Sequence, residues 1–132
     1  MAGTLSERLI SRLLTRFADR GIRIHGANVA IVPALHPEVG DLHVEVDDDE
    51  VTISVGELTH GHFTSISDGA AASVRDEEVV GRVIAFLDAV FDDQVEFWVS
   101  DQMGGWHPRG ERPLVQWPHV RAYVWSGPVI RP

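Results

Sequence analysis

The chain has no cysteine among its 132 residues. That excludes disulfides, thiolate nucleophiles, Cys-ligated zinc and iron–sulfur clusters. Lysine is also missing, all 11 basic residues being arginine, so neither a Schiff-base lysine nor the lysine of a Walker phosphate loop is available. Arginine used throughout, with abundant Ala, Gly, Asp and Val, is the composition of a GC-rich coding sequence and points to a bacterial source. No run approaches the roughly 18 uninterrupted apolar residues of a membrane span, and the first residues lack a secretory core with a small-residue cleavage site, so a cytoplasmic protein is expected. No serine sits in a Gly-x-Ser-x-Gly elbow and no Gly-x-Gly-x-x-Gly turn follows a strand, which leaves nucleophilic catalysis and nucleotide binding without a motif.

What is present bounds the class. A chain of 132 residues that is 44% hydrophobic is the size of one domain, spanning 1–132. Its net charge of −9 is segregated. Residues 1–26 hold five arginines against Glu7 and Asp19, whereas residues 27–101 hold seventeen carboxylates against Arg75 and Arg82. Residues 102–132 are again mildly basic, with four arginines against Glu111. An acidic centre repels phosphate backbones and attracts a basic protein, so no nucleic-acid partner is expected. The plainer consequence is an acidic middle partly neutralised by the arginines of the first helix.

That helix is well marked. Thr4 and Glu7 form a capping box, Gly21 stands at the stop, and Leu5, Leu9, Ile10, Leu13, Leu14 and Phe17 make an apolar stripe. Arg8, Arg12, Arg16 and Arg20 form a ridge beside it. An amphipathic, Arg-rich start also characterises organellar transit peptides, but Glu7, Asp19 and the clear start and stop favour a folded helix. The period then alternates. Ile22 and Ile24, then Val29 to Val32, predict one interrupted strand or two short ones, and Leu42 to Val46 with Val51 to Val55 predict a hairpin. The hairpin tip, Asp47 to Glu50, lacks the glycine and distant glutamate of a calcium loop and is expected to be an acidic, solvated turn.

A second helix is predicted from a cap at Ser73 and Asp76 through an apolar stripe at Val79, Val80, Val83, Ile84, Leu87 and Phe91. Val95 to Val99 and Val120 to Trp125 read as strands, and residues 102–113, rich in Gly and Pro, as an irregular loop. Hairpins with two long helices predict an α+β, two-layer domain: an antiparallel sheet of about five or six strands with both helices on one face.

Two sets of residues carry functional expectations. All four tryptophans and the single tyrosine lie between positions 98 and 125, as Trp98, Trp106, Trp117, Tyr123 and Trp125. If Val120, Ala122 and Val124 face the core, then Arg121, Tyr123 and Trp125 face outward. With Trp98, Trp106 and Arg109 they would form a contact surface for a protein partner or a second copy. The first function expected is therefore a small acidic protein-binding module, inhibitor- or immunity-like or homodimeric, with no cofactor and no membrane partner. In the second set, His60 and His62 point to one side of an extended segment with Glu57 nearby, a grouping able to hold a divalent metal. The alternative function is thus a metal-dependent enzyme or metal-binding protein.

Overall fold

Thr4 opens the first helix, α1 (Leu5–Arg16), from an extended backbone; its Oγ1 accepts from the Glu7 N–H at 3.2 Å and donates to Glu7 Oε1 at 3.1 Å. A computed structural model describes residues 3–66, 69–101, 103–111 and 120–129, and Trp117 of the aromatic set lies outside them. Leu5, Leu9 and Leu13 are buried while Leu14 is 43% exposed, so the buried stripe is narrower than the sequence predicts. The chain leaves α1 through a 3-10 turn at Ala18–Arg20, and Gly21 takes the left-handed φ of +68° that favours glycine at a helix stop.

Five strands follow as a meander: β1 (Arg23–His25), β2 (Val29–Val32), β3 (Leu42–Asp47), β4 (Glu50–Val55) and β5 (Thr59–Phe63), all antiparallel and hydrogen-bonded in chain order. The alternation read from the sequence is obeyed. Leu42, Val44 and Val46 pair across to Val55, Ile53 and Val51, and all six are buried. The residues between them face away, which places His43, Glu45 and Asp47 on the opposite, exposed side. At the hairpin tip Asp48 adopts a φ of +49°, a conformation that Asp tolerates better than most residues.

The second helix, α2 (Ala72–Phe91), starts on Ala71 with no side-chain cap, not at Ser73 as expected. The alanines ahead of Ser73 are strong helix formers and carry the helix upstream. It ends at Asp92, and Asp93, at φ +58°, turns the chain and accepts from both the N–H (3.0 Å) and the hydroxyl (2.5 Å) of Ser126. A second antiparallel sheet then forms from β6 (Val95–Val99), β7 (Gly104–Pro108), β8 (Arg121–Val124) and β9 (Gly127–Pro128), in the order β7-β6-β8-β9.

The fold is α+β with two helices, as expected, but it holds five- and four-stranded sheets in place of a single one. β5 and β9 are further strands, and part of the expected loop at residues 102–113 is the strand β7. Its Pro108 costs no ladder bond because β7 pairs on one side only, with β6. Phe86 on α2 reaches Phe63 on β5 and Trp106 on β7, at centroid distances of 5.2 and 4.7 Å. One buried cluster joins α1, α2 and both sheets. Among the described residues no helix is long and apolar enough to cross a membrane.

Adjacent positions on α1 test this packing. Leu13→Ala, at a site with no exposure, is expected to lower the unfolding free energy by about 2–5 kcal/mol, whereas Leu14→Ala should change it by roughly 0.5 kcal/mol or less. Urea titration followed by circular dichroism reads both; equal effects would show that α1 is not seated as described.

Candidate functional site

The aromatic residues do not form one exposed surface. Tyr123 and Trp125 are only 5% and 1% exposed, which corrects the expectation that they face outward with Arg121. The register gives the reason: Tyr123 pairs directly with Phe97, the centre of the buried side of β6, so the ring-bearing side of β8 is the core side there. Trp125 lies past the end of β8, where its ring meets Phe91 at 5.4 Å. Val120, expected inside, is 38% exposed.

Trp106 is also a packing residue. Its ring stacks on Phe63 at 6.4 Å with an interplanar angle of 15° and lies over Gly61, where any Cβ would collide with the indole. Trp98 occupies the other side of the second sheet, half-buried, and closes on Gly105 in the same manner. Both glycines serve close approach of a ring to backbone. Arg121 and Arg109 are exposed, and Arg109 donates to the Asp93 carbonyl at 3.3 Å.

Sequence reasoning missed a buried polar pair beside Trp98. Glu96 is 1% exposed, and His107 Nε2 donates to its Oε2 at 2.5 Å from the directly opposite position on β7. His107 Nδ1 is buried and has no hydrogen-bond partner among the described residues. Alternation with Val95, Phe97 and Val99 placed Glu96 on an outward face, and nothing in the local pattern marks that face as covered.

The open surface lies on the first sheet. Cross-strand register aligns Ile31, His43, Ser54 and His60 in one row, and Val29, Glu45, Thr52 and His62 in the next. His43, Glu45, His60 and His62 are exposed, and Val29 and Ile31 are half-buried. His60 and His62 do project together, their rings meeting edge to face at 5.5 Å. Their expected third partner is different: His62 Nδ1 donates to Glu50 Oε1 at 2.6 Å, with Thr52 Oγ1 3.0 Å away. Glu57 lies in the β4–β5 turn, where with His60, Thr59 and Met103 it lines a groove of about 430 Å³ that His62 does not reach. Among the described residues no three His, Asp or Glu side chains converge to hold a metal ion, so the set His60, His62 and Glu57 is not assembled within one chain.

Charge is partitioned by pairing between the helices. Arg8 and Arg12 reach Glu77 at 3.2 and 3.3 Å, and Arg16 holds Asp88 through two hydrogen bonds of 3.2 and 3.0 Å. Those bonds, with the charge of Asp88, raise the Arg16 guanidinium above its ordinary pKa. Exposed pairs of this kind contribute little to stability. Their larger effect is to offset the charge of Glu77 and Asp88, while Glu45, Asp47, Asp48 and Asp49 stay exposed along the open sheet and its hairpin tip.

Two variants probe these contacts. Gly61→Ala is expected to destabilise by about 1–3 kcal/mol through overpacking against Trp106, and much less in a Trp106→Ala background; a double-mutant cycle from urea melts measures the coupling, and additive effects would exclude the contact. His107→Ala removes the imidazole from a buried carboxylate and should cost about 3–5 kcal/mol, against a change near zero for exposed His43→Ala in the same assay.

No known protein family matches the chain, and comparison with curated proteins and with solved structures returned no match, so the functional reading rests on the geometry of this chain alone.

Proposed function

We propose that this protein is a small acidic binding module, inhibitor- or immunity-like, that masks a basic protein partner with the open face of its five-stranded sheet. One observation carries the reading: with Glu77 and Asp88 of α2 paired to α1, the exposed carboxylates Glu45 and Asp47 stand on the open sheet face, with Asp48 and Asp49 at its hairpin tip. Val29 and Ile31 supply half-buried apolar area within that face, and an apolar patch edged by charge is the composition of a protein contact surface. Such a field steers a basic partner into place and repels phosphate backbones. The aromatic residues are left out of the contact surface because they serve packing.

The test is a two-dimensional NMR titration of the whole chain with an arginine-rich peptide. Shifts should concentrate on His43, Glu45, Thr52 and Ser54, and affinity should fall as salt rises from about 50 to 200 mM. Glu45→Arg should weaken binding about tenfold, equivalent to about 1.4 kcal/mol, with an unchanged melting temperature. Shifts centred on α2, or spread evenly over the molecule, would remove the reading.

A further inference from the structure

His60 and His62 project side by side from β5, and one nitrogen is already oriented. In the neutral tautomer that donates Nδ1–H to Glu50 at 2.6 Å, Nε2 is the ligating nitrogen, and the His62 side chain is 53% exposed. A carboxylate holding the far nitrogen of an imidazole is the usual outer-shell partner of a metal-bound histidine: it fixes the tautomer and makes the ring a better donor. The spacing fits as well. Two imidazoles bound to one tetrahedral zinc, with Zn–N near 2.1 Å, place their ring centroids about 5.3 Å apart. Here the centroids are 5.5 Å apart. What is missing is a third and fourth ligand, since no further His, Asp or Glu among the described residues completes a set.

We propose that His60 and His62 are one half of a tetrahedral zinc site that a second copy of this chain completes, with a two-fold axis through the metal. An isologous contact brings the same pair from each copy, giving four imidazoles in a geometry that closes the coordination shell. The pair lies on an exposed strand face where another molecule can approach, as a site shared between chains requires. Association should depend on the metal. Glu50 and the exposed acids Asp47, Asp48 and Asp49 lie at the same end of the sheet and oppose the approach of a second copy until a dication offsets them. This inference does not rest on the docking of a basic partner, because the metal is held by the imidazoles of β5 with the Glu50 carboxylate behind them.

The experiment is sedimentation velocity of the whole chain in EDTA and with added Zn²⁺, combined with elemental analysis after gel filtration. Expected are a monomer in EDTA, and with zinc a dimer holding one metal per two chains that EDTA reverses. His60→Ala and His62→Ala should each abolish dimer and bound zinc while keeping the parent circular dichroism spectrum, and His25→Ala with His43→Ala should change neither. Glu50→Gln should still dimerise but need about 10–100 times more zinc. Absence of bound zinc, one zinc per monomer, a dimer that persists in EDTA, or zinc-dependent dimer surviving in the His60→Ala/His62→Ala double variant would each overturn the proposal.

Discussion

The indole of Trp106 sits where both sheets and the longer helix meet. It packs against Phe63 of β5 and Phe86 of α2 while standing on β7, and it closes over the bare backbone of Gly61. The two sheets share no ladder among the described residues, so side-chain packing at this point does the joining that hydrogen bonds do within each sheet. The contact also has a consequence on the far side of β5. Alternation along a strand means that if Gly61 faces the indole, His60 and His62 must both face solvent. The apolar junction inside thus sets the orientation of the histidine pair outside.

Electrostatics divides the molecule in a similar way. The basic start and the acidic middle meet as α1 against α2, where Arg8, Arg12 and Arg16 offset Glu77 and Asp88. These exposed pairs add little to stability, and they offset the charge of Glu77 and Asp88 on α2. The outer face of β3 and the β3–β4 turn carries exposed carboxylates beside imidazoles and no large rings among the described residues.

The second sheet is organised around a different compromise. Its inner side is apolar, with Phe97 and Tyr123 opposite each other, while its other side buries Glu96 with His107. A carboxylate this deeply placed is held by the imidazole across the ladder, and burying either group alone would be far more costly. Asp93 performs a related task at the sheet's end, tying the exit of α2 to the turn at Ser126.

Local chemistry in the sequence was sufficient for α1 with its Thr4 cap, for the β3–β4 hairpin with its acidic tip, for the apolar stripe of α2 and for the shared projection of His60 and His62. Each depends on residues within a few positions of one another, through capping, periods of 3.6 and 2, and strand alternation. Tertiary structure decided the rest. Residues 104–108 become a strand because β6 offers them a free edge and Gly104 and Gly105 allow close packing, which local composition scores as loop. Tyr123 and Trp125 turn inward because Phe97 and Phe91 are there to meet them. Glu57 separates from His62 because one is in a turn and the other on a strand, and Glu50, two residues before Thr52 on the neighbouring strand β4, takes its place. Which face of an alternating strand is buried depends on what packs against it, and that partner lies elsewhere in the chain.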